Sequence, residues 1–341
     1  VDPRRRQVRD VFDCRGKRKA KGDKCPNQEE LDMTALKTAI ATYPYTKGLK
    51  DGTVSVPGVQ FEHVEISPII GAFRRMCRTL EFDVCEMAIT TYLTAKAHDK
   101  PFTALPIFVM RQFHHSPIVY NTKSGVKSPK DLEGKKVGVR AYTVTTGVWA
   151  RGILATEYGV DLDNVTWVVV DEEHVQEYRK PANVLERPKA NLAEMLVAGE
   201  IAAAIGVGKI DSPDVKPLMP DAAAAEAAWY RKTGIYPINH TVVVKDTLLD
   251  AEPSLAPHLF AGFEAAKAQF LKQLSEGSDL PPDAAVLAKR RSIVGDDPLP
   301  NGLARNRKAL EAIIRFAHEQ KILPRVIKPE EMFAVGTLNL E

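Results

Sequence analysis

The chain lacks most of the features that would assign it to a class at sight. Its four cysteines, Cys14, Cys25, Cys77 and Cys85, form no CxxC pair and no zinc-finger spacing, so neither a structural zinc module nor a dithiol redox motif is present. Cys77 and Cys85 read instead as small buried apolar residues of a reducing compartment. A net charge of +3 over 341 residues is too small to mark a nucleic-acid binder. No apolar run approaches the roughly eighteen residues of a membrane span. There is no GxGxxG or Walker pattern, and the fragment Ile205-Gly-Val-Gly208 reads as a turn.

What basic excess exists is concentrated near the start, in Arg4-Arg-Arg6 and Arg15-Gly-Lys-Arg-Lys-Ala-Lys21. Residues 1–32 carry these like charges without apolar periodicity and are expected to form a disordered extension, with Met33 a candidate translation start. The same stretch lacks the apolar segment of a secretory signal, so the expected location is cytoplasmic.

From Leu36 onward the pattern becomes that of an α/β protein. Strands are expected at 36–41, 59–66, 82–87 and 103–109, with helices at 69–80 and 91–97 between them. A second series follows the turn Ser128-Pro-Lys-Asp-Leu-Glu-Gly134: strand 136–139, helix 146–158, strand 165–170, helix 192–198 and strand 201–205. A helix at 222–232, a strand at 240–244 and two helices at 253–274 and 306–320 complete the chain. Alternating strands and helices imply parallel sheets. Two lobes are expected, the first from residues 33–121 and 236–341 and the second from 122–235, crossed by strands at 119–122 and 239–244. The C-terminal helices should pack on the first lobe.

Open α/β sheets bind ligands beyond the carboxyl ends of their strands, which selects the candidate site residues. Arg111 ends an apolar strand, and its planar fork suits a carboxylate. His114 and His115 follow, and in extended chain they would point to opposite faces, so one of them should face the cleft. Glu86 ends another apolar strand and must be solvated or paired; it serves as an acid or base or else ties the lobes together. His240 lies on the returning strand as a second candidate proton carrier or a packing histidine. Tyr43 and Tyr142 offer aromatic faces, Thr90 lies just past the end of a first-lobe strand, and Thr145 and Thr146 stand at a helix start that favours an anion. Glu86, His115 and His240 could in principle supply three metal ligands, but no linear metal motif accompanies them, and neither a metal nor a cofactor is expected.

Several of these segments carry a family resemblance. Phe82-Asp-Val-Cys-Glu-Met87, Pro101-Phe-Thr-Ala-Leu-Pro106, Arg111-Gln-Phe-His-His-Ser116, Asp131-Leu-Glu-Gly-Lys-Lys-Val-Gly-Val139, Val148-Trp-Ala-Arg-Gly-Ile-Leu154 and Pro237-Ile-Asn-His240 resemble the 4,5-dihydroxyphthalate decarboxylases over nearly all of residues 36–338. That family is similar in turn to type II periplasmic-binding-protein-like folds and to the substrate-binding components of ABC transporters. The resemblance implies a two-lobed fold with a ligand cleft between the lobes. It also implies one of two functions: cofactor-independent decarboxylation of a hydroxylated aromatic acid such as 4,5-dihydroxyphthalate, to protocatechuate, or binding of a small organic anion for an uptake system. The family pattern Arg-His at 114–115 puts His115 in the cleft as acid. Arg111 then becomes the clamp, with Glu86 or His240 as base, and Tyr43 and Tyr142 hold the ring. Two departures point to altered charge near the cleft, Thr42-Tyr-Pro-Tyr45 for Asp-Tyr-Asp-Arg and Ala141-Tyr142 for Glu-Tyr. The expected partner is a small aromatic carboxylate, with no nucleic acid and no membrane; a homo-oligomer is compatible with this reading.

Overall fold

The computed structural model describes residues 34–276 and 282–341. The expectation of a disordered extension over residues 1–32 lies outside the described residues.

The first lobe is interrupted by a single excursion of the chain into a second lobe. The chain begins with β1 (Thr34–Ala39), α1 (Lys47–Lys50), β2 (Val59–His63), α2 (Ile70–Thr79), β3 (Val84–Ala88), α3 (Ile89–Lys96) and β4 (Phe102–Arg111). It continues through β5 (Ile118–Asn121), β6 (Lys136–Val139), α4 (Thr145–Tyr158), β7 (Thr166–Val169), β8 (Val184–Glu186), α5 (Leu192–Val197), β9 (Ala203–Ile205), β10 (Val215–Pro217) and α6 (Ala222–Thr233). It ends with β11 (Ile238–Lys245), α7 (Asp246–Ala251), α8 (Leu255–Glu276), α9 (Pro282–Val294) and α10 (Leu303–Glu319).

The first sheet has the order β2-β1-β3-β11-β4 and the second β10-β5-β9-β6-β7-β8, which gives the two-lobed α/β fold. Neither sheet is wholly parallel. The runs β2-β1-β3 and β9-β6-β7-β8 are parallel as the βαβ pattern implies. The returning strand β11 re-enters the first lobe from the opposite end and is therefore antiparallel to β3 and β4. β5 and β10, both short connections, are antiparallel at the other sheet's edge. Because β5 pairs with β9 and β10, it belongs to the second sheet, and the outgoing crossing falls after Arg111 rather than at residue 121.

Strand β3 is buried along its whole length, as a central strand covered on both faces must be. The apolar face of α8 covers the first sheet through Leu259, Phe263 and Phe270. α10 departs from the expected packing on the first lobe alone. Its Phe316 meets Trp149 of α4 edge-on at 5.7 Å, and Gly152 of α4 lies so close that a Cβ there would stand 2.2 Å from the Phe316 ring. Arg151, fully buried, donates from Nε to Gln320 Oε1 at 2.7 Å. α10 thus fastens one lobe to the other behind the cleft. Cys77 and Cys85 are buried free thiols, and burial pushes the Cys77 thiol up to about 12, away from the nucleophilic thiolate. Among the described residues no helix is long and apolar enough to cross a membrane.

Candidate active site

Strand ends from both sheets converge on one cleft of about 160 Å³, on the scale of the roughly 150 Å³ cavity known to admit benzene. Phe73 of α2 and Ala88 at the end of β3 line it from the first lobe. Arg140 after β6, Thr145 and Thr146 at the start of α4, His174 after β7 and Gly206 after β9 line it from the second. Asn239 and His240 of β11 complete the wall.

His240 is the chemically distinctive group. Its Nδ1 lies 2.6 Å from Glu86 Oε1, and because a carboxylate only accepts, Nδ1 carries the proton and donates. Register makes this contact: on β11 and β3 His240 faces Ala88, two residues beyond Glu86, so the pair is diagonal across the antiparallel ladder. Glu86 is fully buried and also accepts from the Ala41 amide at 2.9 Å and the Tyr43 hydroxyl at 2.7 Å. A carboxylate so held is an orienter: it fixes the imidazole tautomer, leaves Nε2 for a ligand and stabilises the imidazolium when it forms. Phe73 meets the His240 ring edge-on at 5.0 Å and fixes its plane.

Among the described residues the arginine of the cavity wall is Arg140, whose Nη1 donates to Asp171 Oδ2 at 2.7 Å. Asp171 is shared with Arg74 of α2 at 3.1 Å. The first-turn amides of α4 have no intrahelical acceptors and add partial positive charge beside this guanidinium. Glu173 sets the approach to that helix by accepting from the Tyr142 amide at 2.7 Å and the Thr143 amide at 3.1 Å.

The structure brings together part of the residue set expected from sequence and disperses the rest. His240, Thr145 and Thr146 meet at the cavity; Glu86 stands behind it through His240, and Tyr43 behind Glu86. Thr90 joins the lobes instead of facing a ligand: its hydroxyl donates to Thr143 O at 2.6 Å and lies 2.8 Å from Thr145 Oγ1. Tyr142 turns away, its ring 4.1 Å from the buried Arg151 guanidinium.

Arg111 is not placed as a clamp in the cleft. It is buried beside α10, donating to Tyr236 O at 3.1 Å, Pro300 O at 3.2 Å and Asn306 Oδ1 at 2.6 Å, and desolvation holds its guanidinium down at about 10. β4 is an edge strand of the sheet, so the alternation that buries Arg111 aims it at α10. Substitution Arg111→Lys should therefore lower stability by about 1.5–3 kcal/mol, the value of a hydrogen bond to a charged group, and leave ligand affinity of the folded protein near wild type. Calorimetric unfolding and binding measured on the same preparation check both halves.

The adjacent histidines also fall elsewhere. His115 is buried against Trp229 of α6, ring centroids 5.7 Å apart, and burial pushes it down to about 4. His114 lies behind the cavity wall, its Nε2 3.2 Å from Asn239 Oδ1, stacked on Trp149 and pushed down to about 3, chiefly by burial. Burial favours the neutral imidazole in both, and His115 does not stand with the Glu86–His240 pair. Among the described residues no group of three His, Cys, Asp or Glu side chains stands together as metal ligands would.

Arg140, His174 and Phe73 were not selected from sequence. Arg140 was reachable by the strand-end rule, since it directly follows β6; His174 and Phe73 sit in a loop and a helix whose approach to the cleft no periodicity encodes. His174, also buried, is pushed down to about 3 by burial first and by Arg140 and Arg74 next. His114, His115 and His174, each depressed by burial, bear on stability. The unfolded chain protonates them near 6.5, so below that pH the unfolded state binds more protons than the folded one. Their contribution is complete above about 6.5 and is lost as pH falls toward 4. The unfolding midpoint should drop steadily from pH 7 to pH 5 in a calorimetric series; a flat profile would contradict neutral burial.

A fold with two α/β lobes, crossing segments and a cavity at the facing strand ends is that of the periplasmic binding proteins. The alkanesulfonate-binding protein SsuA of Xanthomonas axonopodis pv. citri, bound to MOPS, superposes with a TM-score of 0.50 at 15% identity, covering 88% of this chain and 97% of that one. A Candida albicans gene product with the generic periplasmic binding protein fold does so at 0.50 and 13% identity, covering 91% and 99%. Residues 81–180 match the family model NMT1/THI5 like. The 4,5-dihydroxyphthalate decarboxylase of Comamonas testosteroni is 31% identical over 327 residues, 91% of this chain and 99% of that protein, and that of Pseudomonas putida 32% identical over 215 residues, 59% and 83%. This chain belongs to the 4,5-dihydroxyphthalate decarboxylase family.

Proposed function

We propose that this chain decarboxylates a hydroxylated aromatic dicarboxylate, 4,5-dihydroxyphthalate being the acid for which its relatives are named, and releases protocatechuate. The observation that carries the reading is the histidine held by a buried carboxylate, His240 Nδ1 to Glu86 at 2.6 Å, in a ring-sized cavity that also holds Arg140. Arg140 and the α4 amides hold the retained carboxylate. His240 Nε2 delivers a proton to the ring carbon bearing the departing carboxylate. A hydroxyl para to that carbon releases its proton, so electrons move toward the new C–H bond and a dienone forms. The C–CO₂ bond then breaks, its electron pair restores the aromatic ring as a phenolate, and the phenolate takes a proton back. One proton is consumed overall, and the substrate's own ring accepts the electrons.

Solute binding uses the same fold. The buried Glu86 behind His240 favours chemistry, since a binding histidine needs no such partner to stabilise an imidazolium. Incubating the purified protein with 4,5-dihydroxyphthalate and measuring carbon dioxide and protocatechuate tests the proposal. Binding without release from this or any related acid would replace it with the solute-binding reading.

A further inference from the structure

The loop 171–174 has more partners than its length requires. Asp171 holds Arg140 and Arg74, Glu173 holds the two amides before α4, and His174 enters the cavity. Two arginines of α2, on the opposite lobe, fasten this loop in place. Arg74 Nη2 donates to Glu172 O at 3.4 Å, and Arg78 donates to Glu173 O at 3.0 Å, His174 O at 3.4 Å and Glu172 Oε2 at 3.0 Å. Backbone carbonyls of three successive residues are thereby fixed, and with them the direction of the His174 side chain. Its Nδ1 lies 3.3 Å from Thr91 Oγ1, which leaves Nε2 for a ligand. Phe73 meets the His174 ring at 6.0 Å as it meets His240 at 5.0 Å, so a substrate ring lying along Phe73 has both imidazoles within the same cavity wall.

We propose that His174 is a specificity residue that reads the substrate's ring hydroxyl, so that the cavity selects hydroxylated aromatic acids over their unhydroxylated parents. The inference rests on the decarboxylase reading of the cavity and adds a division of labour within it. A carboxylate calls for the permanent charge of Arg140; a phenol calls for a group able to give and take one hydrogen bond, which a neutral imidazole supplies. Burial among Arg140, Arg74 and Arg78 keeps the His174 imidazole neutral across the physiological range. The Thr91 hydroxyl can donate to Nδ1 or accept from it, so Nε2 can follow the hydroxyl as it loses and regains its proton. A site built around a hydrogen bond to a hydroxyl penalises the analogue that lacks one, because the buried partner is then left unpaired.

Phthalate, which has both carboxylates and no hydroxyl, is the discriminating probe. Calorimetry on the wild-type protein should show 4,5-dihydroxyphthalate binding about ten- to a hundredfold more tightly than phthalate. In His174→Leu, of similar volume, that preference should collapse to within about threefold through loss of dihydroxyphthalate affinity alone. His174→Gln, which can place an N–H near the position of Nε2, should recover part of it. Equal binding of the two acids by wild type, an unchanged preference in His174→Leu, or parallel loss of both acids would each overturn the proposal, the last marking His174 as structural. Carbon dioxide release separates this from the function itself. Release without preference removes His174 and keeps the decarboxylase; preference without release keeps His174 as the hydroxyl reader and removes the chemistry. Failure of wild type to bind either acid would overturn both.

Discussion

In His240→Asn, turnover of 4,5-dihydroxyphthalate should fall by about a hundred- to ten-thousandfold, the usual share of general acid–base catalysis, while calorimetric affinity stays within a few-fold of wild type. Asparagine is the informative replacement because its side-chain amide can still donate toward Glu86 as Nδ1 does, so the buried carboxylate is not left unpaired and the fold survives. What disappears is Nε2, the only atom of His240 free to carry a proton to the ring. A proton donor acts only as the ring carbon is protonated, so its loss should appear in kcat and leave ground-state binding largely intact. Turnover unaltered in this variant would eliminate His240 as the acid.

The second large effect is expected at Arg140. Arg140→Gln should weaken dihydroxyphthalate binding by about 2 kcal/mol, roughly thirtyfold, with a smaller change in kcat. The estimate sits at the low end of the range for a desolvated charge pair because the Arg140 side chain keeps 36% of its surface exposed and already spends part of its charge on Asp171. Arg74 retains Asp171 at 3.1 Å in the variant, which protects the loop and separates the affinity loss from unfolding. Arg140→Lys should recover only part of the loss, since an ammonium keeps the charge without the two-point fork. An unchanged KM in Arg140→Gln would assign the carboxylate to the α4 amides alone.

Much of the fold was legible from order along the chain, because hydrophobic period and strand–helix alternation are local properties that survive in one dimension. The βαβ runs, the strand before Arg111 and the returning strand at His240 all lie where periodicity indicates. Glu86, a carboxylate ending an apolar strand that had to be solvated or paired, is the paired case. The resemblance carried by segments such as Phe82-Asp-Val-Cys-Glu-Met87 led to the right family. The tertiary structure alone decided which polar residues face the cavity. Arg111 and His115 follow an apolar strand much as Glu86 ends one, yet β4 is an edge strand and β3 a central one. Strand order depends on contacts between residues more than a hundred positions apart, such as His240 with Glu86. The same long-range closure, made by the α2 arginines gripping loop 171–174, delivered His174 and Arg140 to the cavity. Local pattern determines what each segment becomes, while its position beside a distant segment, and hence its chemistry, is fixed only when the lobes pack.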